Sequence, residues 1–328
     1  MLKKLSLIVV SLYLSAICTM ALAQTTAVKS VNKINPTTVE VRFDGGERMM
    51  LDFYGKNIFR VFQDNNGGII REPEAKPEAQ ILVDEPRREV GAIEIAEKDG
   101  STAIRTEQIE ILLDKGSATM KVTDLATERV ALEQLEPLTI SDKGVALKLK
   151  AAANEYFYGG GVQNGRFSHK GKIIAIENQN SWTDGGVASP TPFYWSTNGY
   201  GIMWHTFRKG KYDFGATTDN VVALSHEEGY ADFFVMVSEK PVALLNDFYQ
   251  LTGNPVLLPK FGFYQGHLNA YNRDYWAETD EGGVLFEDGK RYKESQQDNG
   301  GIKESLNGEK GTISASCSIE PDSRRSLS

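Results

Sequence analysis

The sequence predicts a mainly β protein built as an antiparallel β-sandwich, and three observations lead there. From about Lys29 to Phe234 apolar and polar residues alternate over short runs. Turn-forming residues interrupt those runs at close intervals. The same stretch carries hardly any helical periodicity, which leaves sheet packed on sheet as the way to bury its apolar faces.

The first clear hairpin is "TTVEVRFDGGERMMLDFY". Val39, Val41 and Phe43 alternate with polar residues, Asp44-Gly45-Gly46 turns the chain, and Met49, Leu51 and Phe53 alternate back. "EQIEILLDKGSATMKVTD" repeats the design around Asp114-Lys115-Gly116. The first convincing helix is "SEKPVALLNDFYQLTG". Pro241 suits a first helical position, Gly253 suits the stop, and Val242, Leu245, Phe248, Tyr249 and Leu251 form the expected apolar stripe. "NPVLLPK" then reads as a linker, followed by a short apolar strand at Phe261–Tyr264, so a domain boundary is expected near Leu258.

At 328 residues the chain has room for two domains, and 41% hydrophobic with 24% charged residues is an ordinary globular balance. Lys3 and Lys4 precede an apolar run and then Ala21-Leu22-Ala23, the pattern of a secretory signal cleaved before Gln24. The apolar run is short for a full span, so no stable membrane insertion is expected after cleavage. Loss of the two lysines takes the formal charge from −8 to −10. The remaining basic residues are scattered among acids, which argues against a nucleic-acid partner. Of the two cysteines only Cys317 would survive processing, so no intramolecular disulfide is expected.

Two stretches carry candidate chemistry. "YFYGGGVQNGRFSHKG", Tyr156–Gly171, reads first as a tight strand connection needing positive φ at glycine. Gln163, Asn164, Arg166 and His169 are its polar groups, and no phosphate loop or dinucleotide spacing supports a cofactor. "IENQNSWTDGGVASPTPFYWSTNGYGIMWHTF" places a polar loop with Asn178, Asn180, Trp182 and Asp184 ahead of an aromatic strand pair joined by Asn198-Gly199. Aromatic faces stack on the C–H side of a pyranose while carboxylates and amides take its hydroxyls. The loop Asn180–Gly186 is therefore expected to be exposed and functional, whereas Phe193, Trp195 and Trp204 are expected in the core. The four histidines lie far apart without helical pair spacing, so a zinc site is not expected; nor does "DNNGG" at Asp64 complete a calcium loop.

Taken in order, three segments resemble the N-terminal part of glycoside hydrolase family 31, the α-glucosidases, α-xylosidases and relatives. "EYFYGGGVQNGRFSHKG" is similar to the family's Phe-Tyr-Gly-x-Gly-Glu segment, with Val162-Gln163 where the glutamate region usually stands. "PTPFYWSTNGYGIMWHTF" resembles its strand pair with a Gly-Tyr-Gly turn. "DFFVMVSEKPVALLNDFYQLTGNPVLLPKFGFYQGHL" resembles its helix, Pro-x-x-Pro junction and first barrel strand. "GHLNAYNRDYW" looks like a Bacteroides-type subgroup.

The resemblance implies a galactose-mutarotase-like sandwich followed by the start of a (β/α)8 barrel. On that reading residues 1–23 are a signal peptide, 24–257 the sandwich, 258–310 an incomplete first barrel unit and 311–328 a disordered or out-of-frame tail. It implies retaining hydrolysis of an α-linked oligosaccharide by two aspartates on later barrel strands, with carboxyls about 5 Å apart. No match to either is found, so no catalytic residue is assigned, and this chain alone is expected to be inactive and to need no cofactor. The matching sandwich loop is Asn178–Gly186, with Asn180 where relatives often have an aspartate. Substrate contacts are expected from Asn180, Trp182 and Asp184 and, past the first barrel strand, from His267, Tyr271 and Asp274. Export to the periplasm or the extracellular space follows from the signal. A non-catalytic sugar-binding sandwich is the alternative function; α-galactosides or α-N-acetylgalactosaminides are the alternative substrates. An aldose-epimerase-like enzyme fits less well, for want of a suitable His and Glu pair.

Overall fold

The computed structural model describes residues 27–64, 80–179, 181, 183–257, 259, 276–285 and 289–294. The chain divides into two compact units, Met1–Pro255 and Val256–Ser328.

In the first unit an eight-stranded sheet runs in the order β1 (Val28–Lys33), β2 (Thr38–Phe43), β3 (Arg48–Phe53), β4 (Ile58–Asp64), β18 (Tyr230–Val237), β15 (Tyr200–Trp204), β14 (Val187–Ser196), β12 (Phe157–Gln163). A five-stranded sheet follows β10 (Thr139–Ser141), β11 (Gly144–Lys150), β17 (Val221–His226), β16 (Gly210–Phe214), β13 (Ile173–Ile176). A meander supplies another five strands, β5 (Glu94–Lys98), β6 (Ser101–Arg105), β7 (Ile109–Asp114), β8 (Met120–Asp124) and β9 (Arg129–Glu133). Gln134 bridges to Leu149 between the two smaller sheets. The pairings within these sheets are antiparallel, as short connections allow.

The expected hairpin forms with Val41 opposite Met49 and Val39 opposite Leu51. Those side chains enter one core with Phe59, Val61, Trp204, Phe233 and Val235 from the large sheet. Ile104, Ile111 and Val122 join from the meander, and Leu147, Val222, Leu224 and Phe214 from the other small sheet. One face of the eight-stranded sheet thus packs on both smaller sheets, the mainly β antiparallel sandwich expected from the sequence.

The central strands depart from simple alternation: every residue of β4 is buried. The second face is covered in part by the helix α1 (Pro241–Thr252). Pro241 occupies its first turn, and Gly253 at φ 90° ends it, donating its N–H to Tyr249 O. The buried stripe is Leu244, Asp247 and Leu251, with Leu245 and Phe248 packed alongside. Val242, expected in the stripe, is 68% exposed, because the face turned to the sheet is the one through Leu244 and Leu251, seven residues apart on the same side. Phe248 stacks on Phe193 at 4.2 Å and 15°, and Tyr54, Ile58, Met203, Phe234 and Met236 complete this second cluster. Full burial of each leucine stabilises by about 2 kcal/mol.

In the second unit β19 (Trp276–Glu278), β20 (Val284–Leu285) and β21 (Arg291–Glu294) form an antiparallel sheet with β21 central. The expected strand Phe261–Tyr264 lies outside the described residues. Among the described residues no helix is long and apolar enough to cross a membrane.

Candidate functional site

The chemistry-bearing residues gather along β12, the last strand of the large sheet. Gly159, Gly160 and Gly161 have φ of 112°, 77° and 77°, which side-chain-bearing residues rarely adopt. Space forbids a side chain as well: a Cβ on Gly159 would stand 2.6 Å from Phe193 O, and one on Gly161 would overlap Ser189 O. The pairing with β14 shifts register between Gly159 and Gly161 and again between Val162 and Gln163. The glycines thus let a doubly bulged strand lie against its neighbour.

Two side chains hold the bulged backbone. Gln163 Nε2 donates to Gly160 O and Ala175 O, both at 3.0 Å. His169 bonds Gly159 O at 2.8 Å through Nε2. A carbonyl only accepts, so the proton sits on Nε2 and Nδ1 is left as a buried acceptor with no protein donor. Burial lowers the His169 pKa, which keeps the ring neutral at pH 7.

Beyond β12 the chain fastens the polar loop. Asn164 N–H donates to Gly186 O at 3.0 Å, Asn164 O accepts from Gly185 N–H at 2.9 Å, and Asn164 Nδ2 donates to Ser181 O at 2.8 Å. Arg166 Nη1 reaches Ile173 O at 3.0 Å and Nη2 reaches Gly185 O at 3.2 Å. Asp184 is exposed at this loop, and its carboxylate lies against Gly165, whose missing Cβ and φ of 66° make room for it. The loop is therefore a braced platform presenting a carboxylate. Of the substrate contacts expected from the sequence, Asp184 is the one placed here; Asn180, Trp182, His267, Tyr271 and Asp274 lie outside the described residues.

Phe193 and Trp204 are buried as expected, at 5% and 1% exposure. Trp195 is only half-buried: it packs against the apolar cluster under α1 and also lines an open depression of about 550 Å3 with Tyr158, Arg166, Phe167, His169 and Thr197. Its strand position points it to the sheet's second face, which α1 covers only in part. Trp195 stacks on Tyr158 at 4.5 Å and 24°, and Phe167 meets Tyr158 edge-on at 5.6 Å and 72°. Sequence reading overlooked this aromatic corner, though "YFYG" carried the signal: Phe157 faces the core, so Tyr156 and Tyr158 must face away from it.

Residues 48–213 match the glycosyl hydrolase 31 N-terminal galactose mutarotase-like domain. The chain belongs to this family. Curated relatives of this glycosyl hydrolase 31 domain include the α-xylosidase XylQ of Lactiplantibacillus pentosus, 28% identical over 137 residues, 40% of this chain and 18% of that protein. An α-xylosidase of Emericella nidulans is 28% identical over 133 residues, 40% of this chain and 17% of that protein. Among solved structures, the Flavobacterium johnsoniae GH31 dextranase complexed with isomaltotriose superposes with a TM-score of 0.65 at 16% identity, over 72% of this chain and 29% of that one. A GH31 α-xylosidase from a soil metagenome, complexed with xylose, gives 0.55 at 18% identity, over 70% and 36%. The glycosyl hydrolase 31 chain described here thus spans less than a fifth of the length of these curated relatives.

Proposed function

We propose that this chain serves as the N-terminal domain of an exported, retaining α-glycosidase of family 31, of the Bacteroides-type subgroup and α-glucosidase-like, acting on α-linked oligosaccharides. Its own part is to scaffold and complete a sugar site, and the catalytic carboxylates belong to a barrel outside the residues that carry this fold. The observation that carries the reading is the braced loop ending at Gly186, where Asn164 and Arg166 fix the backbone that presents Asp184. A carboxylate held on a rigid platform accepts hydrogen bonds from vicinal sugar hydroxyls without first paying the entropy of ordering a loop. Asn180, Trp182, His267, Tyr271 and Asp274 are the other substrate contacts proposed on the family 31 reading.

The proposed organisation follows the same reading: a signal over 1–23, the sandwich over 24–257, a barrel beginning near 258 and a tail from 311, with the product working in the periplasm or outside the cell. The unit boundary at Pro255–Val256 supports a junction in this region.

Two assays test this. The chain by itself is expected to leave aryl α-glucosides and α-xylosides intact; retaining hydrolysis by the purified chain contradicts the reading. Installed in place of the N-terminal domain of the Flavobacterium johnsoniae dextranase, it is expected to support hydrolysis, and Asp184→Ala in that chimera should lower kcat/KM by about tenfold, the worth of one hydrogen bond to a charged group. An Asp184→Ala chimera as active as its parent would remove the loop from the site.

A further inference from the structure

We propose that the aromatic depression beside β12 is a further carbohydrate-binding site, seating one pyranose of a neutral α-linked oligosaccharide against Phe167 and Tyr158. The proposal rests on the carbohydrate reading above but uses none of its contacts, since Asp184 does not line the depression.

The shape is the first argument. Tyr158 and Trp195 sit opposite one another on β12 and β14 and stack at 4.5 Å, so the outer ring is backed by a second ring and cannot collapse inward. Phe167 stands at 72° to Tyr158 and is 87% exposed. Two aromatic planes meeting at nearly a right angle form a corner for a rigid disc with one apolar face. A pyranose is such a disc, with axial C–H bonds on its face and hydroxyls around its rim. A volume of about 550 Å3 holds a short oligosaccharide within the range usual for small-molecule sites.

Polarity then selects among ligands. Among the described residues lining the depression the one cation is Arg166, held in place by Ile173 O and Gly185 O with N–H groups to spare. Among the same residues there is no carboxylate to attract an amine. A cationic ligand therefore finds no counter-charge there. Thr197 Oγ1 accepts the Tyr156 N–H and keeps its own proton to donate. The Tyr158 hydroxyl both donates and accepts. Hydroxyl groups fit such partners, and a neutral polyol with one apolar face uses the aromatic corner as well as these polar groups, whereas a small anion would meet Arg166 alone.

The test is titration of the purified chain with isomaltotriose and with maltotriose, followed by calorimetry. At least one is expected to bind in the millimolar range or tighter. Phe167→Ala, an exposed position whose loss leaves the unfolding midpoint in place, should weaken that binding by about tenfold. Phe167→Tyr, which restores the ring, should recover it. Binding unaffected by Phe167→Ala, or no binding of either trisaccharide, overturns the proposal. An inactive chimera with binding intact would instead count against the glycosidase reading and leave this site standing.

Discussion

Arg60 on β4 and Asp232 on β18 face each other across adjacent strands, Nε to Oδ1 at 2.7 Å and Nη2 to Oδ2 at 2.6 Å, with both side chains at most 2% exposed. His205, the residue after β15, stands 3.2 Å from the same carboxylate through Nδ1, and the guanidinium lies over Phe234 at 5.4 Å. A bidentate pair satisfies two donors and two acceptors at once where water cannot. Removing one partner strands a buried charge, so Asp232→Ala should cost about 3–5 kcal/mol. Urea unfolding measures this; a loss under 1 kcal/mol would place the pair in the class of solvent-screened surface bridges.

The glycines of β12 make a graded prediction. Gly161→Ala meets both a positive φ and the Ser189 carbonyl, and should destabilise by about 2–4 kcal/mol. Gly46→Ala also has a positive φ, 97°, but nothing lies within 4 Å of its Cβ, so only the conformational cost of about 1 kcal/mol remains. Equal losses in thermal denaturation would show that packing against β14 contributes nothing.

The helix stripe can be tested by contrast. Leu244 is fully buried and Leu244→Ala should cost about 2–4 kcal/mol. Val242→Ala, one turn face away and 68% exposed, should stay within about 0.5 kcal/mol of the parent. The reverse order of effects would restore the stripe expected from the sequence.

Asp247 gives a pH signature. Burial pushes its pKa up to about 6, against the opposing pull of the Asn57 hydrogen bond at 2.7 Å and of the Arg88 charge. The folded state then holds this proton more tightly than the unfolded chain, whose carboxyl titrates near 3.8. The contribution favouring the fold is full below pH 3.8 and is lost as pH rises to about 6. Asp247→Asn keeps an acceptor for Asn57 and removes the charge, so at pH 7 it should stabilise by up to about 3 kcal/mol, and much less at pH 4. Denaturant midpoints across that range decide it; a variant less stable than the parent at pH 7 would refute it.

Much of this architecture is legible in the residues themselves. Val39, Val41 and Phe43 against Met49, Leu51 and Phe53 need only the two-residue period and a Gly-Gly turn to declare a hairpin. Pro241 and Gly253 bracket α1 because each acts through its own backbone geometry. These signals are local, and a reader of one strand has all the information required. The braced loop was legible as an exposed polar segment, although the residues that brace it were seen only as polar groups near glycines.

The remaining decisions needed the assembled sheets. Whether Trp195 enters the core depends on how far α1 extends over the second face, a matter of packing between elements more than forty residues apart by number. Val242 and Leu244 carry similar hydrophobicity, and only the docking of α1 on Met203, Phe234 and Met236 chooses between them. Arg60 and Asp232 come from two strands and His205 from just past the end of a third, so no spacing announces their cluster. Alternation and turn chemistry are encoded residue by residue, which is why the β-sandwich was readable in advance; the family was read from the resemblance of three segments. Burial, charge pairing and the aromatic corner arise where distant segments meet, and their energies exist only once those segments exclude water together.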